Sequence, residues 1–374
     1  MTLPFEFQTK IEPIAAAIAH AASDTDKGAF PSHAIRALGD AGFLGLISSK
    51  EVGGQGLGMH AAVWVVRRIA RECTSTAMIA MMHYAATAVI EAHGPLDVRK
   101  DIAAGKHLST LAFSELGSRS HFWAPVSTAT ADGGQVRLDA KKSWVTSANH
   151  ADSYVWSSKP LAGAEASTLW LVPRKTAGLQ ILAGNFDGLG LRGNDSMPVT
   201  AEGARVPATA MLGADGGGFG VMMSTVLPWF NVMNAAVSCG VMEAATAKTA
   251  AHAGNTKFQH AGTAIAELPT ARAYIARMQI QTDMCKALLD DTVAAIAAGR
   301  ADATLRVLES KAAAGESATM VTDLAMRVCG GAAFRKEVGV ERLFRDARAA
   351  TVMGPTTDVL YDFIGKAVTG LPLF

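Results

Sequence analysis

The chain has 374 residues, of which 49% are hydrophobic, and 34 Lys and Arg stand against 33 Asp and Glu for a formal net charge of +1. That balance excludes the basic face that nucleic acid or an anionic membrane needs, so the expected partner is a small molecule or another copy of the chain. The length and apolar content support a sizeable core, in one large domain or two to three ordinary ones.

In chain order, residues 1–108 read as helical. Ala-rich stretches such as Ile11 to Ala22 and Ala61 to Arg71 carry apolar residues at i, i+3 and i+4, broken by Gly42 and the Gly53 to Gly58 cluster. Residues 109–212 read as strands over 126–130, 135–139, 154–157 and 168–172, with Asp132-Gly133-Gly134 as a hairpin turn. From the Gly-rich segment 213–220 the pattern is helical to the end of the region 213–374, with a breaker at Cys329-Gly330-Gly331. The expected class is α+β: a helical domain, a middle antiparallel β-domain and a C-terminal helical bundle. Cys73, Cys239, Cys285 and Cys329 are scattered among apolar neighbours, match no metal-ligand spacing and read as reduced core thiols, so no metal is expected. The N-terminal residues lack the basic-then-apolar layout of a signal peptide, and no apolar run reaches the roughly 18 residues of a membrane span. The expected location is the cytoplasm.

Val338 to Arg348, read V-G-V-E-R-L-F-R-D-A-R, leads into Thr351-Val-Met-Gly-Pro-Thr-Thr-Asp358. This resembles the C-terminal signature of acyl-CoA dehydrogenases, E-R-x-x-R-D-A-[KR] before a Y-E-G-T-like turn. Glu51 to Gly58, Phe113-Ser114-Glu115, Lys142-Ser-Trp-Val-Thr-Ser-Ala148, Gly190 to Gly193 and Leu212 to Phe219 follow the family's other motifs in register. The resemblance implies a C-terminal four-helix bundle, bound FAD, a CoA thioester substrate and a homo-oligomer, a tetramer in the family. It names no electron acceptor.

Carried over residue by residue, it implies that Phe113, Ser114, Trp144, Val145 and Thr146 meet the flavin, with hydroxyls at its polar edge and an indole as a flat wall. Ser120 falls at the serine of the family's G-S pair. Arg327, Gly330 and Gly331 fall where a neighbouring subunit's FAD pyrophosphate approaches, and Thr356 and Asp358 fall beside the flavin. Read without the resemblance, Trp144 is a core aromatic, Thr146 a strand former, Arg327 a solvated charge and Gly330-Gly331 a helix-ending turn. The family's R-x-x-F-G segment is replaced by Thr256 to Gly262, with Phe258 in the arginine's place. That leaves open a flavin supplied reduced from outside.

The family's catalytic glutamate removes the α-proton of the substrate, and its place is taken by Gly354. Some members carry that glutamate on the helix after the Gly-rich segment, where this chain has Phe230, followed by Asn231 in place of a common arginine. Asp358, four residues after Gly354 on the same face of a continuous helix, is the nearest acidic candidate, or else a charge at a helix N-terminus. His83 matches a histidine near the acyl cavity in the family, or else is a core residue. Met82, Phe122, Phe230 and Met353, with Met81, Trp123 and Trp229, suggest a bulky apolar substrate. Three readings follow: an acyl-CoA dehydrogenase with a non-standard base, a flavin-dependent monooxygenase or desulfinase-like enzyme on the same fold, and a non-catalytic flavin-binding homologue. For the second, Gly354-Pro355 also resembles the D-P of dibenzothiophene monooxygenases.

Overall fold

The computed structural model describes residues 4–118, 121–162 and 167–373. The N-terminal helices are α1 (Phe5–Asp26), α2 (Ser32–Asp40), α3 (Gly58–Ala70), α4 (Thr74–His93) and α5 (Leu96–Ala103). Helix α4 is buried at every position from Thr74 to Thr87, as a helix without a charged face must be. Other segments answer some of its polar groups: the Tyr84 hydroxyl donates to the Phe43 carbonyl at 2.7 Å.

The middle region folds into two four-stranded sheets. Strands β1 (Ser109–Ala112), β4 (Ser153–Ser158), β5 (Thr168–Pro173) and β8 (Met211–Leu212) form one, in the order β1-β4-β5-β8. Strands β2 (Thr128–Asp132), β3 (Gln135–Val145), β6 (Leu179–Ile181) and β7 (Met197–Pro207) form the other, in the order β2-β3-β7-β6. Leu138, Val199 and Val206 from one sheet meet Tyr154, Trp156 and Trp170 from the other in a shared core. Gly133 and Gly134, at φ 57° and 86°, make the two-residue turn between β2 and β3, with Asp132 opposite Gln135.

Two strand expectations need correction. The pairing is not wholly antiparallel, because β1 runs parallel to β4 with Ser109 opposite Ser153. The hairpin of β2 and β3 lies between them in the chain but belongs to the other sheet, so it serves as the crossover that parallel strands require. The strand expected from Val126 starts only at Thr128, since the backbone N–H groups of Val126 and Ser127 go to the Glu115 carboxylate instead of a ladder.

The C-terminal region holds α6 (Gly218–Val221), which passes through a π-helical turn at Met222–Val226 into α7 (Leu227–Asn255), then α8 (Pro269–Ala297), α9 (Ala303–Cys329), α10 (Val340–Ala347), α11 (Ala349–Val352) and α12 (Thr357–Thr369). Helices α7, α8 and α9 pack on one another and α12 lies against α9 as the fourth. Contrary to the count of uninterrupted apolar residues, the helix Gly218–Asn255 is long and apolar enough to cross a membrane. With 78% of that apolar window buried inside the fold, it reads as a core helix. All four cysteines are free and buried.

One side chain ties the three regions together. Arg345 of α10 donates through Nη1 and Nη2 to both carboxylate oxygens of Asp26 at the end of α1, at 2.9 and 2.7 Å. Nη1 also donates to the Leu189 carbonyl of the middle region at 3.1 Å, and Nε to Glu341 at 2.7 Å. Next to it, the buried Asp346 accepts from the Leu191 N–H at 2.7 Å. Gly190 lies so close that a Cβ there would fall 2.6 Å from the Arg345 carbonyl. Replacing Arg345 by Ala leaves Asp26 half enclosed without a partner, a loss of about 3 kcal/mol for a buried pair broken on one side. A urea titration should show the lower midpoint, with Arg345→Lys recovering only part because an ammonium lacks the bidentate fork. An unchanged midpoint would contradict the role of this clasp.

Candidate active site

Between the three regions lies a cavity of about 840 Å³. Its walls are α4 (Met78, Met82), the β1 end (Leu111 to Glu115), the β3 end (Ser143, Trp144), the segment 186–196, the start of α7 (Leu227, Phe230) and the segment 348–356. It is mostly apolar, with a few hydroxyls and amides, the usual composition of a ligand site.

The wall at β3 is built under strain. Trp144, Ser147, Leu191 and Asp195 are the four non-glycine residues in the left-handed region among those described, at φ 53° to 57°. All lie in the two segments at one edge of the cavity, 144–147 and 191–195. Such conformations cost about 1–3 kcal/mol each and persist where the surroundings impose them. Here the Ser147 N–H donates to the Asn194 carbonyl at 2.9 Å and the Ala148 N–H to the Asp195 carbonyl at 3.1 Å. The Asp195 carboxylate in turn accepts from the Asn149 backbone and side-chain amides. This leaves the Trp144 indole on the cavity wall with 67% of the residue exposed, edge to face with Phe186 at 6.0 Å. A flat ring held open at a cavity is suited to stack on a planar ligand. Thr146, whose hydroxyl is 3.2 Å from that of Ser196, and Ser114 add polar atoms nearby.

Glu115 is the only carboxylate among the described residues that line the cavity. It is fully enclosed and engaged by the Lys142 ammonium, the Ser127 hydroxyl and the backbone N–H groups of Val126 and Ser127. Burial opposes its charge, yet Lys142 and those donors hold its pKa below the usual carboxylate range. Lys142 donates further to the Ser157 carbonyl at 2.7 Å and hydroxyl at 2.9 Å, and burial brings its pKa down to about 8. With its oxygens spent on this network, Glu115 is not free to take a proton from a ligand.

Of the residues expected from sequence, Phe113, Ser114, Trp144, Thr146, Phe230, Met353, Gly354 and Thr356 do line the cavity, as do Met82 and Phe122. Ser120 lies outside the described residues. The others lie elsewhere. Val145 points into the sheet core, 1% exposed, because strand neighbours alternate and Trp144 faces the cavity. Asn231 is buried in α7 without a hydrogen bond to either side-chain atom, one position from Phe230 and off the cavity. Arg327 donates to the Tyr274 hydroxyl at 3.0 Å and stacks on that ring, while Gly330 and Gly331 are exposed at the end of α9. None of these three lines the cavity. Asp358 is exposed and also off the lining, since α11 ends at Val352 and α12 starts at Thr357, so the four-residue helical spacing from Gly354 does not hold. His83 is buried, with Nδ1 accepting from the Ser109 N–H at 3.1 Å and Nε2 3.0 Å from the Leu44 carbonyl. Both ring nitrogens are thus used to join α4 to the α2–α3 connection and β1, and burial brings its pKa down to about 4.

Sequence reasoning missed the wall at 186–196, whose residues reach the cavity only through the clasp on α10. It also passed over Glu115 as a site residue, although the triplet Phe113-Ser114-Glu115 had drawn attention to it. His121 also lines the cavity and was not among the expected site residues.

Family models for the acyl-CoA dehydrogenase N-terminal domain (residues 7–104), middle domain (110–204) and C-terminal domain (216–369) match in succession. The chain belongs to the acyl-CoA dehydrogenase superfamily. It is a flavoprotein oxidoreductase of that superfamily. The bovine mitochondrial short-chain specific acyl-CoA dehydrogenase is 28% identical over 337 residues, covering 88% of this chain and 81% of that protein. The cyclohex-1-ene-1-carbonyl-CoA dehydrogenase of Geobacter metallireducens is 26% identical, covering 92% and 91%. The butyryl-CoA dehydrogenase structure from Megasphaera elsdenii superposes with a TM-score of 0.89 at 21% identity, over 99% of both chains, a likeness of fold.

His83 carries a pH prediction. Unfolded, it takes a proton near pH 6.5; folded, it holds out to about pH 4. The unfolded state therefore binds more protons between these values, and stability falls as pH falls through them, by about 3 kcal/mol from this group. Chemical denaturation from pH 7 to 4.5 should show the decline, and His83→Gln should flatten part of it. A slope unchanged by the substitution would contradict the assignment.

Proposed function

We propose that this chain is an FAD-dependent oxidoreductase of acyl thioesters, CoA thioesters first among them, in which no carboxylate stands at either usual position of the α-proton base. The observation that carries this reading is the cavity itself. It has a strained, open indole wall and hydroxyls suited to a flavin, while the one carboxylate among its described lining residues is locked in an ion pair. Trp144 and Phe113 supply apolar surface for the ring system, and Ser114 and Thr146 supply hydrogen-bonding groups for its polar edge. When bound, FAD supplies the two-electron acceptor. Met78, Met82, Phe122 and Phe230 would then enclose the acyl part and keep water from it.

The assembly we propose is a homotetramer in the cytoplasm. Ile280 and Met284 on the outer face of α8 are 59% and 60% exposed, and apolar residues on that face favour a partner helix. Arg327, Gly330 and Gly331, exposed and away from this chain's own cavity, are then available to a neighbour's cofactor.

Purified protein should be yellow, with about one FAD per chain, and its flavin should bleach slowly or not at all under anaerobic butyryl- or octanoyl-CoA. General-base catalysis is typically worth 10²- to 10⁴-fold, and Gly354→Glu or Phe230→Glu should recover part of it. Protein that neither carries nor takes up FAD would overturn the reading. Rapid bleaching of the unmodified protein would show that a base is already present. Turnover with reduced flavin and oxygen but with no thioester would favour the monooxygenase reading, and no turnover of either kind a binding homologue.

A further inference from the structure

Lys311 is a buried lysine that the proposed chemistry leaves unused. It sits in the middle of α9, 1% exposed, and forms no ion pair among the described residues. Its ammonium donates to three backbone carbonyls: Pro355 at 2.7 Å, Met353 at 3.1 Å and Ala350 at 3.3 Å. An ammonium has three N–H donors, and all three are spent on one short stretch of chain. That stretch runs from α11, which holds Ala350, into the break before α12, and Met353, Gly354, Pro355 and Thr356 of the break line the cavity. One turn along α9, a Cβ added at Gly315 would lie 3.5 Å from the Ala350 Cβ, so the same face of the helix receives α11.

We propose that Lys311 is a positioning residue that holds Met353 to Thr356 as the floor of the cavity, and that the floor loosens when the ammonium gives up its proton. A neutral amine keeps two N–H donors for three carbonyls, so at least one of the three loses its partner and the tie between α9, α11 and the floor slackens. Burial without a counter-ion brings the Lys311 pKa down to about 7, which places the change close to neutrality. The inference concerns this chain's own backbone, and only its consequence for FAD rests on the proposed function.

Charged groups on the surrounding elements are engaged elsewhere or exposed. On α9, Glu309 pairs with Arg306, and Glu316 acts on Tyr361. On α10, Glu341 pairs with Arg345, and Asp346 accepts from Leu191. Arg348 and Asp358 are exposed, and on α12 Asp362 pairs with Lys366. On α7, Glu243 meets Arg67, Arg71 and Lys286, and on α8 Asp291 meets Arg300. Burial is accordingly the only cause of the shift at Lys311.

Local loosening is separable from general unfolding by its sign. The unfolded lysine keeps its proton to about pH 10.4, so the folded state releases it first. The unfolded state then binds more protons, and from this group global stability rises with pH above about 7. The floor should loosen while the fold as a whole does not weaken.

Hydrogen–deuterium exchange of peptides spanning 349–358 reads this directly, without ligand, after correction for the intrinsic pH dependence of exchange. In the unmodified protein, protection of the floor should fall severalfold from pH 6 to 8.5, while α4 and β3 keep theirs. In Lys311→Met, which removes all three hydrogen bonds, protection should already be at least roughly tenfold lower at pH 6, and should not change with pH. FAD affinity, followed by the fluorescence of released FAD, should weaken in parallel. His121, the histidine on the cavity wall, is tested by His121→Gln, which should keep the exchange profile. Floor protection independent of pH, or unchanged in Lys311→Met, or a profile that vanishes in His121→Gln, would overturn the proposal. If Lys311→Met does not fold, the pH series in the unmodified and His121→Gln proteins decides alone. If FAD never binds, the proposed function fails while the exchange result stands.

Discussion

The contact between Arg345 and Asp26 sets the geometry on which the site depends. The cavity belongs to no single region: one wall is α4, another the ends of β1 and β3, a third the segment 348–356 of the C-terminal region. A void between separately folded layers keeps its width only if the layers are fixed to one another. Arg345 does this with one guanidinium, reaching the end of α1, a middle-region carbonyl and its own helix at 2.7 to 3.1 Å. A planar fork with five donors can satisfy three such partners at once. Asp346 draws in Leu191 beside it, and Gly190 lets the loop come close enough to be held.

Within that frame much of the polar chemistry at and behind the cavity wall is engaged by the protein itself. Glu115 and Lys142 neutralise each other behind the β1 end, fixing the backbone at Val126 and Ser127 from which the β2–β3 hairpin departs. His83 is neutral and joins segments rather than moving protons. Lys311 lies beneath the floor and answers its carbonyls. The interior is mainly aromatic and aliphatic surface with hydroxyls near Trp144, and His121 and Arg348 also line it, a setting that can hold a planar cofactor and an apolar acyl group. It offers no unengaged carboxylate among the described residues.

Much of the fold was legible because periodicity is local. The alternation along 135–139 and the Asp132-Gly133-Gly134 turn predicted the hairpin, whose second strand runs on to Val145. The parallel pairing of β1 with β4 was not legible, since it depends on which sheet the intervening hairpin joins. Ser114, Trp144, Thr146, Phe230 and Met353 were found through the order of family motifs, and they line the cavity. Asp358 was misplaced by treating Gly354 to Asp358 as one helix, when the chain turns between α11 and α12. Gly190 to Gly193 stood out as a family motif, but the place of 186–196 as a cavity wall was not legible, because the hydrogen bond from Leu191 to Asp346 closes a separation of 155 residues, beyond the reach of any periodic signal.

The most direct test of the account is exchange of the substrate's α-hydrogens. Octanoyl-CoA deuterated at the α-carbon, incubated anaerobically with the FAD-loaded protein in ordinary water, should keep its deuterium over many minutes. The Gly354→Glu protein under the same conditions should wash it out. Rapid loss of deuterium with the unmodified protein would mean that a base reaches the α-carbon from a position this cavity does not reveal, and the account of its chemistry would be wrong.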